Sequence, residues 1–215
     1  MKSHASHLRE HLIQSPAAVR ALLSPIRQEI IDALESSQAC SMAELAQLMG
    51  RKPDALYFHV RRLLKVGLLI ECEPRKTGRN VAAIYDLPGR PMRLDHSQGA
   101  NQRVLTKVVA AALRLASRDT TRALLRGEPA MGPDRTAWAG RCKGWLSPAD
   151  IARVNRHIEQ IQSIVKGSRT RRRTHASARR LISVGISLAA LDTSARPASN
   201  QPNSAPHARP QRRSS

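Results

Sequence analysis

The chain has 215 residues and a formal net charge of +20, a length that suits one compact domain with helical additions, or two small domains. Its last segment, 167–215, holds ten Lys or Arg residues against one acidic residue. This balance favours polyanionic partners, of which nucleic acid is the commonest. Charge alone does not distinguish specific from unspecific binding.

Several functional classes are disfavoured by the sequence. Cys40, Cys72 and Cys142 lie far apart without a pairing motif, which predicts a reducing, cytoplasmic setting and no disulfide framework. The N-terminus lacks an apolar signal region. The sequence also contains no run of about 18 apolar residues, the length that would predict a membrane span. The sequence contains no nucleophile elbow, phosphate-binding glycine loop or zinc-enzyme signature. It therefore predicts a protein that is not an enzyme and that has no cofactor or bound metal.

The N-terminal third predicts short helices. Residues 5–14 favour a helical turn or two, and residues 16–23 favour a first helix. Ser24 followed by Pro25 is typical of the start of a second helix, because serine caps and proline suits the first helical position. These segments precede the part of the chain that carries the clearest motif.

That motif is a pair of helices joined by a tight turn. Ser41 and Glu44 have the spacing of a capping box that opens a third helix, and Gly50 follows that helix. A fourth helix is predicted from about 53 to 66, with Gly67 as its left-handed end. Two helices joined in this way can place the second in the major groove of DNA.

The fourth helix is amphipathic. Leu56, Val60, Leu63 and Leu64 share one face at about 100° per residue. The opposite face is charged and also carries the chain's single phenylalanine, which suggests a partner. Side chains in the N-terminal half of such a helix can reach base edges. The predicted base-reading residues are Asp54, Tyr57, Phe58, Arg61 and Arg62.

A basic hairpin follows the helix pair. Strands are predicted at 68–73 and 81–86, and the loop at 74–80 carries three cations. A helix-turn-helix with such a hairpin is a winged helix, so the predicted fold is mainly α with a small β-hairpin wing, in the α+β class. The residues predicted to contact phosphates, some from the wing, are Ser41, Arg51, Lys52, Lys65, Arg75, Lys76 and Arg79.

The C-terminal half predicts helices that extend and pair the domain. After a boundary near 88–97, helices are expected at 101–117, at 119–126 and at 147–166, with a Gly/Pro loop at 127–144. Apolar residues in the last helix are spaced three, four, three and four residues apart, as in a coiled-coil seam. The predicted dimer seam is Ile151, Val154, Ile158, Ile161 and Val165.

The remaining residues complete the predicted organisation. Residues 182–190 alternate apolar and small side chains, which predicts a late strand, and the final residues favour disorder. The predicted regions are an N-terminal arm (1–16), a winged helix-turn-helix (17–94), a helical dimerisation or effector region (95–166), a basic segment with the strand (167–191) and a disordered basic tail (192–215).

Three residue groups leave other interpretations open. His4, His7 and His11 would share one face of a helix and could bind a metal, although an exposed, frayed terminus is the simpler reading. Cys72 and Cys142 could sense redox state, without a neighbouring group that would stabilise a thiolate. Trp138 and Trp145 could line an effector pocket, or simply pack the loop onto the last helix.

Residues 17–94 resemble the ArsR-type winged-helix regulators of bacteria. The resemblance is carried by LSPIRQEIIDAL, SMAELAQLMG and PDALYFHVRRLLKVGLL, and the ALYFH segment looks like the branch with tyrosine in the recognition helix. WLSPADIARVNRHIEQI is similar to the carboxy-terminal helix of some members. The resemblance implies a dimer that binds an inverted repeat, often as a repressor. Metal-sensing members carry a cysteine pair where this chain has only Cys40, so the resemblance does not imply metal sensing.

The sequence thus predicts a sequence-specific regulator that binds double-stranded DNA as a homodimer, with no membrane contact. A second hypothesis is a basic architectural or RNA-binding protein with weak sequence preference. A third is a sensor, controlled by a small molecule of unknown identity or by redox state, whose DNA-binding domain is the output.

Overall fold

The computed structural model describes residues 10–77, 80–95, 102–167 and 180–191. The chain divides into two compact units, 1–185 and 186–215. In the second unit, residues 186–191 form neither helix nor strand. The elements of the first unit are β1 (His11–Ile13), α1 (Pro16–Ala21), α2 (Pro25–Ser36), β2 (Cys40–Ser41), α3 (Met42–Met49), α4 (Asp54–Lys65), β3 (Ile70–Thr77), β4 (Asn80–Asp86), β5 (Met92–Leu94), α5 (Gln102–Leu125) and α6 (Pro148–Gly167).

Local signals in the sequence account for the ends of the central helices. The Ser41 side chain accepts a hydrogen bond from the Glu44 N–H at 3.3 Å, and the Glu44 carboxylate accepts one from the Ser41 N–H at 2.8 Å. The predicted capping box is therefore confirmed. α2 begins at Pro25, as predicted, although the Ser24 side chain forms no capping hydrogen bond. Gly67 has a φ of 73°, the left-handed conformation expected after α4.

The wing is longer than predicted. β2, β4 and β3 form an antiparallel sheet in that order, and β3 and β4 pair from Ile70–Asp86 to Thr77–Asn80. The predicted loop at 74–80 is therefore wrong in part, because the strands continue almost to the hairpin tip. Pro74, which has no N–H to donate, lies within a register shift between Cys72 and Arg75, where the ladder skips it.

α5 shares one hydrophobic core with the winged helix. Leu105 and Val108 of α5 belong to the same buried cluster as Leu34 and Leu56. Gln28 is also buried there, and its amide nitrogen donates to the carbonyl oxygens of Leu22 at 2.6 Å and Val108 at 3.2 Å. Both the apolar contacts and this polar bridge attach α5 to α1 and α2.

Two predictions near the ends of the winged helix are corrected. The helical turn predicted at 5–14 is wrong for its described part, because His11–Ile13 form a strand and residues 5–9 lie outside the described part. This strand pairs in parallel with Met92–Leu94, so a strand also occupies part of the boundary predicted at 88–97. Pairing over about 80 residues of sequence buries Ile13, which is 4% exposed, and no local pattern predicts such a partner.

The separate helices predicted at 101–117 and 119–126 form one helix, α5. Nothing at the predicted break interrupts the backbone, and the Thr120 hydroxyl donates to the carbonyl of Ala116, one turn earlier, at 2.9 Å. This local hydrogen bond keeps the Thr120 side chain within the helix.

The strand predicted at 182–190 is also wrong, because residues 180–191 form neither helix nor strand. An alternating pattern forms a strand only beside another strand. Residues 180–185 instead contact α5 and the segment that follows it: a Cβ at Gly185 would be 2.5 Å from that of Ala116, and Arg180 pairs with Glu128 at 2.8 Å. Glycine permits this close approach.

Replacing Leu56 with alanine should lower the free energy of unfolding by about 2–5 kcal/mol, because Leu56 is fully buried and the change leaves a cavity. Urea titration followed by circular dichroism measures the effect. The same substitution at Leu125, which is 82% exposed, provides the matched control and should change stability by less than about 0.5 kcal/mol. Equal effects at both positions would contradict the placement of Leu56.

Candidate nucleic-acid interface

A tight turn joins α3 to α4. Gly50 adopts a φ of 61°, and its N–H donates to the Gln47 carbonyl at 3.2 Å, while the N–H of Arg51 donates to Ala46 at 2.9 Å. These bonds satisfy the last carbonyls of α3 and reverse the chain direction. A side chain at position 50 would be strained at this φ, so glycine is required by the turn.

α4 turns its charged face outward. Leu56, Val60 and Leu63 are at most 1% exposed, whereas Phe58 is 71% exposed and Tyr57 44%. The other predicted base-reading residues, Asp54, Arg61 and Arg62, are exposed as well. The five residues thus lie together on an accessible helix surface, which is the geometry that entry into a major groove requires.

One flank of this surface faces the wing. Tyr85 on β4 is buried, and burial raises the pKa of its hydroxyl; Glu71 and Tyr57 act in the same direction, while the charge of Arg61 opposes them. Tyr57 and Arg61 therefore lie on the side of α4 nearest to the wing. A duplex seated on α4 would meet the wing on this side.

The opposite flank faces α2. Burial and then the charge of Arg62 lower the pKa of Arg27, which places the two guanidinium groups near one another. The Nε of Arg27 donates to the carbonyl of Ala21. Within the described residues, neither arginine forms an ion pair with a carboxylate. Two neighbouring cations without an anion between them suit a backbone phosphate.

His59 lies at the border of α4, next to Phe58 in the chain. Burial, followed by the charges of Arg27 and Arg51, lowers the pKa of its imidazole. The Phe58 ring meets the His59 ring edge-on, with centroids 5.5 Å apart. His59 is thus the aromatic neighbour of the exposed phenylalanine.

The residues predicted to contact phosphates divide into two groups. Lys52, Lys65 and Lys76 are exposed. Arg51 pairs with Glu29 at 2.9 Å, and Arg75 pairs with Glu44. Arg75 and Lys76 belong to β3 rather than to a loop, and Arg79 lies outside the described residues.

Ser41 is poorly placed for a phosphate contact. Its side chain accepts the Glu44 N–H, its backbone N–H donates to the Glu44 carboxylate, and the residue is 7% exposed. The Glu44 carboxylate already occupies the N-terminus of α3, where an anion would bind. A phosphate would have to displace the Glu44 carboxylate, so Ser41 is not assigned to the interface.

α6 contributes no buried residue to the fold. Along the predicted seam, Val154 and Ile158 are half-buried and the outer residues are exposed: Ile151 at 43%, Ile161 at 41% and Val165 at 37%. Trp138 and Trp145, for which packing onto α6 was the simpler expectation, are 63% and 87% exposed. Within the described part of the chain this apolar stripe stays partly exposed, a pattern typical of a surface that contacts a partner.

Sequence reasoning missed two residues that bear on this surface. Arg27 lies on α2, and its relation to Arg62 arises only from helix packing. Glu29, on the same helix, binds Arg51. No local signal distinguishes either residue from the other charged positions of α2.

The comparison with known families agrees with this geometry. Residues 22–72 match a family described as a helix-turn-helix domain, a stretch that runs from the end of α1 into β3. The chain therefore contains a helix-turn-helix domain, and its architecture is an α+β winged helix. Such a domain indicates a DNA-binding regulator. No curated protein matches the chain closely enough to be counted as a relative.

None of the described helices has the length and apolar character needed to cross a bilayer.

Proposed function

We propose that the protein is a sequence-specific transcriptional regulator of the ArsR type that binds an inverted-repeat operator as a homodimer and acts as a repressor. The outward face of α4 carries the proposal. It combines an apolar ring, Phe58, that is 71% exposed with the exposed cations Arg61 and Arg62. Such a surface costs solubility in isolation and suits the floor of a major groove.

Each group on α4 has a defined role in this proposal. Arg61 and Arg62 donate to guanine O6 and N7, the commonest specific contact of arginine. Phe58 packs against a thymine methyl group, and Tyr57 and Asp54 contact neighbouring base edges. Lys52, Lys65 and the wing residues Lys76 and Arg79 hold phosphates on either side of the groove.

The dimer follows from the stripe on α6. Burying five apolar side chains at about 1.5–3 kcal/mol each, with partial burial, contributes on the order of 5–10 kcal/mol before entropy. A two-fold related pair would place two α4 helices about one helical turn of DNA apart, which requires an inverted repeat.

Unspecific nucleic-acid binding is the second candidate, and the net charge of +20 favours it. Charge alone would not require an exposed phenylalanine at the centre of the basic surface, so specific binding is the better explanation.

Selecting bound duplexes from a random DNA pool tests the proposal. We expect a palindromic consensus whose half-sites are about 10 base pairs apart. Binding to it should survive excess random DNA at moderate salt, because specific binding typically exceeds unspecific binding by about 10³-fold or more. A pool without a consensus, or equal competition by random DNA, would favour the architectural alternative.

A further inference from the structure

Glu29 connects the helix-turn-helix to α5 through both of its carboxylate oxygens. One oxygen accepts a hydrogen bond from Arg51, in the turn between α3 and α4, at 2.9 Å. The other accepts one from Arg118 of α5 at 2.5 Å. Arg118 also pairs with Asp119 at 2.8 Å. One carboxylate on α2 is therefore shared between a residue of the candidate interface and a residue of the long helix behind it.

The environment makes this connection stronger than an ordinary surface pair. The Glu29 side chain is 18% exposed, and those of Arg51 and Arg118 are 34% and 30% exposed. The hydrogen bonds that Arg118 donates to Glu29 and Asp119 hold its pKa above the ordinary value, so its charge is constant. Partial shielding from water also reduces screening of both pairs by salt.

We infer that Glu29 occupies, in the DNA-free protein, the position on Arg51 that a backbone phosphate takes in the complex, and that Arg118 controls how firmly Glu29 holds it. This inference rests on the proposed function and adds Arg51, one of the residues predicted to contact phosphates, to its phosphate contacts. Glu29 and Arg118 are positioning residues here, since neither needs to touch the duplex.

The competition follows from the chemistry of the groups. A guanidinium binds carboxylate and phosphate oxygens with the same planar N–H donors. An N–H of Arg51 that is bonded to Glu29 therefore cannot bind a phosphate at the same time. Arg118 donates to the second carboxylate oxygen of Glu29 and neutralises part of the carboxylate charge. If Arg118 is removed or moves away with α5, Glu29 interacts with Arg51 alone and holds it more firmly. DNA binding then weakens.

Affinity for the selected operator duplex, measured by fluorescence anisotropy, tests the first half of the inference. Glu29→Gln should tighten binding by about two- to fivefold, the range of a single ion pair. It should also steepen the dependence of log affinity on log salt by about 0.9, because one further phosphate contact forms. Asp134→Asn removes the same charge from an exposed position in the loop between α5 and α6 and should leave the salt dependence unchanged.

The second half is tested on α5. Arg118→Gln should weaken binding by about two- to threefold more than Arg114→Gln, which removes the same charge one turn away from an exposed position. In the Glu29→Gln background this difference should disappear, because the residue that transmits it is absent. Thermal unfolding of each variant shows separately how far stability changes.

Equal effects of Arg118→Gln and Arg114→Gln in both backgrounds would overturn the inference. An unchanged salt dependence in Glu29→Gln would overturn it as well. Both results are distinct from failure of the proposed function, in which the unmodified protein would not discriminate the selected duplex from random DNA.

Discussion

Replacing both Arg61 and Arg62 with alanine should abolish the preference for the operator while leaving the helical circular dichroism signal intact. Both side chains are exposed on α4, whereas its packing depends on Leu56, Val60 and Leu63 on the opposite face. Each bidentate arginine–guanine contact contributes about 1–3 kcal/mol of discrimination. Losing two should therefore reduce the affinity ratio between operator and random duplex by roughly 30-fold or more.

A charge-matched control separates base reading from loss of positive charge. Arg103→Ala with Arg114→Ala removes two exposed cations from α5 and keeps α4 intact. This control should lower affinity for operator and random DNA alike and preserve their ratio. If the Arg61 and Arg62 variant keeps the wild-type ratio, α4 is not the recognition helix.

Replacing Ile158 with glutamate should dissociate the homodimer. Ile158 is half-buried at the centre of the α6 stripe, and the substitution removes about 1.5–3 kcal/mol of apolar burial and places a charge in the interface. We expect the dimer dissociation constant, measured by analytical ultracentrifugation, to rise about 100-fold or more. The monomer should stay folded, because α6 contributes no buried residue to the chain's own core.

The same helix offers a matched control. Ile164 lies beside the seam and is 75% exposed, so Ile164→Glu introduces the same charge without entering the proposed interface. It should leave the dissociation constant within about threefold of the original. Equal weakening by both substitutions would show that the stripe from Ile151 to Val165 is not the contact between protomers.

The two substitutions on α6 also affect DNA binding differently. A monomer carries one recognition helix and loses the gain from binding two half-sites at once. Ile158→Glu should therefore bind a single half-site normally and the full inverted repeat only as tightly as a half-site. Ile164→Glu should retain the advantage of the full repeat.

The amino-acid sequence by itself determined the central motif of this protein. The capping box at Ser41 and Glu44, the turn at Gly50 and the amphipathic pattern of α4 depend on contacts within a few residues, so their spacing predicts them directly. The exposed face of α4 was predictable for the same reason. A helix with three fully buried leucine and valine positions on one side must turn its charged side to solvent or to a partner.

Tertiary structure alone decided the features that depend on partners distant in the chain. His11–Ile13 became a strand because Met92–Leu94 lies beside it, and residues 182–190 formed no strand because no neighbouring strand pairs with them in the described part of the chain. The ion pairs of Glu29 likewise join three helices or turns that approach only after folding. Periodicity reports which face of an element is apolar, whereas pairing between distant segments depends on packing that no short window of sequence contains.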